Sequence, residues 1–241
     1  MSADEKTRQH ETVMELPGTV EQAWAAITDT SQVQSWFAPE ARVDLRPGGD
    51  YFVSWGPGME GAAKIESIDA PRHLRVVTER RLREGAEPVR VAMDYYIEPR
   101  EGGGTVLRLV HSGFLNSAEW DGEFEGTRQG WPMMFRILRY GLAKHPGVGG
   151  RQAWLYVSRE APAAEVWKEV VRLAPADAVE YSVELKEFFA RWDEMGDGLI
   201  YAALGGGGAK TAISFTVVLY GDAAGRIGEA GEHWRGRLVQ A

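Results

Sequence analysis

The chain contains no cysteine. That removes disulfides, thiolate nucleophiles and Cys-ligated metals from consideration. It also lacks any cluster of Lys and Arg set apart from acidic neighbours, and its net charge is −8. Binding to nucleic acid through the phosphate backbone needs the opposite balance. No run of about 18 apolar residues occurs, so no membrane-spanning helix is expected. The opening MSADEKTRQHE is polar and charged. It has none of the apolar core a signal peptide needs, which makes the cytoplasm the expected compartment. The five histidines (His10, His73, His111, His145 and His233) are scattered, with no pair at helical ligand spacing. No metal site and no cofactor are expected.

Two apparent motifs fail on inspection. Gly205-Gly206-Gly207-Gly208-Ala209-Lys210-Thr211 hints at a phosphate loop. That motif requires Gly directly before Lys and a helix afterwards. Here Ala209 intervenes and a strand pattern follows, so a hairpin turn is expected. HPGVGGRQ lacks the third glycine of a dinucleotide loop.

What the chain has in excess is tryptophan, nine copies in 241 residues. Each side chain buries roughly 150–250 Å² and its N–H needs a partner when buried. Such residues serve as core filler or as the wall of a ligand pocket.

The chain also begins twice. TVMELPGTVEQAWAAIT (12–28) and LYVSREAPAAEVWKEVV (155–171) share a pattern: an apolar run, a Pro break, then an amphipathic helix centred on a Trp. Aligning Trp24 with Trp167 sets Val13 opposite Tyr156, Met14 opposite Val157 and Ile27 opposite Val170. Two related domains follow, the second shorter.

Between the openings, periodicity assigns the elements. Residues 12–16 read as a strand. Thr19 caps a helix, with Gln22 completing a capping box, and Val20, Ala23, Trp24 and Ile27 form its apolar face. Asp29 to Phe37 reads as a second short helix. A meander of strands then runs through RVDLRPGGDYFVSW, AAKIESIDAP, HLRVVTERRL, VRVAMDYYIEP and TVLRLVHSGF. Val89, Val91, Met93, Tyr95 and Ile97 alternate toward one face, and Arg90, Ala92, Asp94 and Tyr96 toward the other. From Trp120 the spacing turns helical. Pro132 conflicts with an unbroken helix but suits a first turn, so the main helix is expected at about 130–144.

In the second half a strand (153–158) and a helix (162–173) are clear. Residues 178–194 carry Tyr181, Leu185, Phe188 and Trp192 at helical spacing. Tyr181, Val183 and Leu185 also alternate, so the first part could instead be a strand. GLIYAAL and KTAISFTVVLY form a hairpin, and EAGEHWRGRLVQ a closing helix. The expected organisation is a disordered tail (1–10), a first domain (11–145), a linker (146–150) and a truncated α+β domain (151–241).

The strings VEQAWAAITDTSQVQSWFAP, LRPGGDYF, KIESIDAPRHLRVV, TVLRLVHSGF and GWPMMFRIL resemble, in order and spacing, the SRPBCC or START-like helix-grip superfamily. Within it they are similar to the branch named after activators of the heat-shock-protein-90 ATPase. The resemblance covers residues 11–145 and extends only loosely to the second half. It implies an α+β fold: a curved antiparallel sheet gripping a long C-terminal helix, with a hydrophobic cavity between them. It also implies a small apolar or amphipathic ligand. Other activities in the superfamily keep open a cyclase- or hydrolase-type enzyme in the same cavity, a stress-linked role, or a chaperone or transcription-regulator partner. A homodimer also stays open.

The expected ligand-binding residues are Trp36, Phe37, Tyr51, Trp55, Met93, Tyr95, His111, Trp120, Trp131, Phe135 and Leu138. The Trp36–Phe37 pair stands where the family sets an aromatic pair after the second helix, placed to gate the cavity. His111 shares a strand face with Leu107 and Leu109. It reads as an acid or base near neutral pH, with Tyr95 as its partner, as a histidine bonded within the sheet end, or as a solvent-exposed one.

Overall fold

The computed structural model describes residues 7–174, 178–182, 186–207 and 209–240. The chain divides into two compact units, Met1–Val148 and Gly149–Ala241.

The first unit starts with strand β1 (Thr7–Leu16). Residues 7–10 are therefore strand, although they fell within the expected disordered tail. Gly18, at φ 95°, turns the chain into α1 (Val20–Thr28). Thr19 caps this helix as its sequence announces: its Oγ1 accepts from the Gln22 N–H, and Gln22 Oε1 accepts from the Thr19 N–H. The buried face is Ala23, Ala26 and Ile27, with Trp24 only half-buried. The apolar face is thus rotated from the one centred on Trp24, because Ala26 packs inward and Trp24 sits at the rim. Asp29 caps α2 (Thr30–Trp36) by accepting from the Gln32 N–H.

Six strands follow: β2 (Glu40–Val43), β3 (Asp50–Ser54), β4 (Glu60–Asp69), β5 (His73–Arg80), β6 (Val89–Pro99) and β7 (Thr105–Leu115). They form one antiparallel sheet in the order β1-β7-β6-β5-β4-β3-β2. The first strand therefore returns to pair with the last of the meander.

Helix α3 (Asp121–Lys144) closes the unit. It starts nine residues before the expected position and carries Pro132 in its interior. A mid-helix proline costs about 3 kcal/mol through its missing N–H and the clash with the carbonyl four residues back. That carbonyl belongs to Arg128, an exposed residue, so it can turn to water. Thr127 before the proline and Trp131 and Phe135 around it all engage the interior, and this holds the helix through the defect.

The second unit repeats the circuit with fewer strands. It comprises β8 (Gly150–Arg159), α4 (Ala163–Val170), β9 (Ala178–Ser182), β10 (Glu187–Trp192), β11 (Gly198–Gly207), β12 (Lys210–Tyr220) and α5 (Ile227–Gln240). Its sheet order is β8-β12-β11-β10-β9, again joining first strand to last. The helical option for 178–194 is overturned: both described stretches are strands. Phe188, Ala190 and Trp192 point inward and Arg191 outward, with Glu187–Trp192 paired against Gly198–Ala203. Val183 and Leu185 lie outside the described residues. The repeat seen in sequence holds in burial. Val13 and Tyr156 are both exposed, at 52% and 56%, while Ile27 and Val170 are both buried.

Among the described residues no helix is long and apolar enough to cross a membrane.

Candidate functional site

Antiparallel pairing fixes rows of side chains across the first sheet. His10 on β1 pairs with His111 on β7, and His111 pairs with Met93 on β6. The neighbouring row runs Thr12, Leu109, Tyr95, Leu74. Both rows face α3.

His111 is buried, and its Nδ1 accepts from the Trp131 indole N–H at 3.1 Å. A nitrogen that accepts carries no proton, so the neutral ring holds its hydrogen on Nε2. Burial pushes the His111 pKa down to about 3, with His10 adding to the effect. His10 lies beside it, ring centroids 5.3 Å apart, between Phe114 and Phe124. Its Nε2 is 3.0 Å from Thr127 Oγ1. That hydroxyl lies 3.0 and 3.1 Å from the carbonyls of Glu123 and Phe124 and donates to them, so it accepts from His10 Nε2–H. The remaining nitrogen of His10, Nδ1, is buried with no hydrogen-bond partner. Its pKa is also lowered, by burial first and by Arg128 second, with Glu125 opposing.

Next to the histidines runs a continuous set of rings. Phe37 stacks on Trp36 at 5.1 Å and meets Trp55 at 5.3 Å and Trp131 at 5.0 Å. Trp131 also touches Phe135 and Tyr95. Two polar tips are satisfied by backbone: Trp36 Nε1 donates to Ala26 O at 2.8 Å, and Tyr51 OH to Ile27 O at 3.1 Å. Burial raises both the Tyr51 and Tyr95 pKa values, so neither phenol ionises near neutrality. Leu138 on α3 and Trp120, against Phe114, are buried as well. Of the eleven residues expected to bind ligand, only Trp55 and Met93 are half-buried. The structure therefore brings this set into the interior between sheet and helix, where its own rings are in contact.

Sequence reasoning missed His10, because it was assigned to the tail. His10, Thr12 and Leu16 share one strand face and are all buried, but the charged opening segment has no apolar run to mark that face in the sequence. Asp94 was assigned to a polar outer face, yet it is only 5% exposed. It accepts from His73 Nε2 at 2.9 Å and from the Arg75 guanidinium, and Arg75 Nε donates to Glu66 at 2.8 Å. A cleft of about 590 Å³ opens beside this network, bounded by Asp69, Arg72, His73, Tyr96 and Glu98. None of the expected ligand-binding residues lines it. Among the described residues no group of three or more His, Asp or Glu could hold a metal.

Comparison with solved structures finds the protein MLL2253 from Mesorhizobium loti at 20% identity and TM-score 0.52, covering 57% of this chain and 98% of that one. DynU16, from the dynemicin biosynthetic locus, matches at 14% identity and TM-score 0.48, covering 87% of this chain and 86% of that one. The Aha1 dimer from Colwellia psychrerythraea matches at 14% identity and TM-score 0.49, covering 58% and 99%. At such identities the first likeness shows the fold alone. No curated protein matches the chain. The model of the family described as activator of Hsp90 ATPase homolog 1-like protein matches residues 17–142. With more than half of its length matched, from Pro17 at the end of β1 to Leu142 in the last turn of α3, the chain belongs to that family.

Proposed function

We propose that the first unit binds a small apolar or amphipathic molecule between its sheet and α3, with a hydroxyl of that molecule directed at His10. The observation that carries this reading is the buried, unpartnered Nδ1 of His10 inside a wall of aromatic rings. A buried acceptor left without a donor costs about 1–3 kcal/mol. A ligand hydroxyl would recover that, while its apolar body gains roughly 25 cal/mol per Å² removed from water. Binding is favoured over proton transfer here. A catalyst at neutral pH needs a pKa near 7; His111 is held neutral down to about pH 3 and the phenols stay protonated.

The test is a titration followed by tryptophan fluorescence, using apolar alcohols and phenols, each paired with its deoxy counterpart. Saturable binding is expected, with the hydroxyl form about tenfold tighter. His10→Phe should abolish that preference while leaving binding of the deoxy compound intact. Absence of saturable quenching across the series rejects the reading.

A further inference from the structure

The closing helix of each unit carries a buried tryptophan: Trp131 on α3 and Trp234 on α5. In the first unit the indole N–H groups find acceptors, Trp131 at His111 and Trp36 at Ala26 O. In the second unit Trp154 donates to Ser214 Oγ at 2.9 Å. Trp234 and Trp192 differ. Both are buried, at 0% and 2% exposure, and the Nε1 of each has no hydrogen-bond partner. They lie together in one core, ring centroids 5.6 Å apart and planes at 68°. Phe215 packs on Trp234 at 4.8 Å, and His233 lies against both indoles, 5.8 Å from Trp192 and 5.6 Å from Trp234, without hydrogen-bonding either; the remaining neighbours Ile200, Val217 and Leu238 are hydrocarbon.

Two orphan donors in one apolar core are unusual, because buried polar groups are nearly always paired. A core meant only for packing would place Phe or Leu at both positions and avoid the cost. Water is a poor partner. It could accept from both indoles, but its own two hydrogens would then need two acceptors, and the His233 imidazole could supply one at most. A carboxylate is also disfavoured, since an anion buried among hydrocarbon needs a cation close by. Arg237 lies over the face of Trp234 and not at its N–H edge. A neutral carbonyl fits: it has two lone pairs and no hydrogen.

We infer that the second unit holds a binding site of its own, between α5 and its sheet, for a small apolar molecule bearing an uncharged carbonyl oxygen, recognised by the Trp192 and Trp234 N–H groups. This site is independent of the one assigned to the first unit.

The experiment uses the full chain, labelled with 15N at the tryptophan indoles. Signals are assigned from Trp192→Phe and Trp234→Phe, which keep the apolar bulk and remove the donor. Acetophenone and 2-acetylnaphthalene are titrated in, each against its ethyl counterpart, which lacks only the carbonyl. Both ketones should move the Trp192 and Trp234 N–H resonances saturably and leave Trp131 in place. The ethyl compounds should bind at least tenfold more weakly, and each Phe variant should weaken the ketone by about tenfold, equivalent to about 1.4 kcal/mol. Because the wild-type titration stands by itself, misfolding of a variant does not remove the test. If neither indole responds up to the solubility limit, or ethyl and keto compounds act alike, the inference is wrong.

Discussion

The Trp131 indole donates to His111 Nδ1 at 3.1 Å, and this one bond ties α3 to β7. It exists only while the imidazole is neutral at that nitrogen. A protonated ring would present a donor to a donor inside a buried pocket, which is the structural side of the depressed His111 pKa.

Stability should therefore fall in mild acid. The folded pKa of His111 is about 3 and the ordinary value is 6.5. Between these values the unfolded chain binds the proton and the folded chain does not, so stability rises with pH across that window. The contribution is complete above about pH 6.5 and drains away as pH falls toward 3. His10, lowered in the same direction, adds to it. Urea unfolding at pH 7, 6 and 5, where carboxylates remain ionised in both states, should show a slope that His111→Gln reduces by up to about 1.4 kcal/mol per pH unit. An unchanged slope in the variant means His111 titrates normally.

Periodicity revealed this relationship only in part. His111 was legible because Leu107, Leu109 and His111 alternate on one strand, and helical spacing from Trp120 onward placed Trp131 and Phe135 on the closing helix. His10 was not, because a charged opening segment carries no apolar run; its burial comes from pairing with β7, a contact about 100 residues away. The start of α3 was hidden by Pro132, whose local cost is offset by tertiary contacts that no window of sequence contains. The first part of 178–194 satisfied both periods, while Phe188 and Trp192 continued the helical one; pairing with β11 is what makes Glu187–Trp192 a strand. The orphan state of Trp192 and Trp234 is a property of neighbours, not of spacing, so it could not be read at all.

Trp36 and Trp24 separate core from rim. Trp36 is 1% exposed, is hydrogen-bonded to Ala26 O and stacks on Phe37. Trp36→Ala should cost about 3–5 kcal/mol, as large core truncations do. Trp24 sits half-buried on α1, so Trp24→Ala should cost about 1–2 kcal/mol. Equal losses on chemical denaturation would mean the helix face is turned the other way.

Asp94 is a buried carboxylate whose two partners, His73 and Arg75, come from the adjacent strand β5. Asp94→Ala leaves Arg75 with only the more exposed Glu66 and should destabilise the first unit by about 3 kcal/mol. Glu66→Ala, at the exposed end of the same network, should cost less than about 1 kcal/mol. Thermal unfolding of the two variants ranks them directly. A larger loss for Glu66 would place the centre of the network on the surface.

Two glycines of the first unit should respond with opposite sign to the same substitution. Gly113 on β7 has φ 92°, and a Cβ there would meet the Arg90 carbonyl oxygen at 2.3 Å, a backbone atom of a residue held opposite Glu79 in the β5–β6 ladder. Gly113→Ala combines left-handed backbone strain with that clash and should cost more than about 2 kcal/mol. Because Gly113 lies two residues beyond His111, the damage should also weaken the Trp131 contact, visible as a shift of the Trp131 indole signal. Gly126 on α3 is exposed, and its added Cβ meets nothing within 4 Å. There Ala removes only backbone freedom from the unfolded chain, and stability should rise by about 0.5–1 kcal/mol. Denaturation midpoints moving the same way in both variants would show that β7 tolerates a side chain at 113.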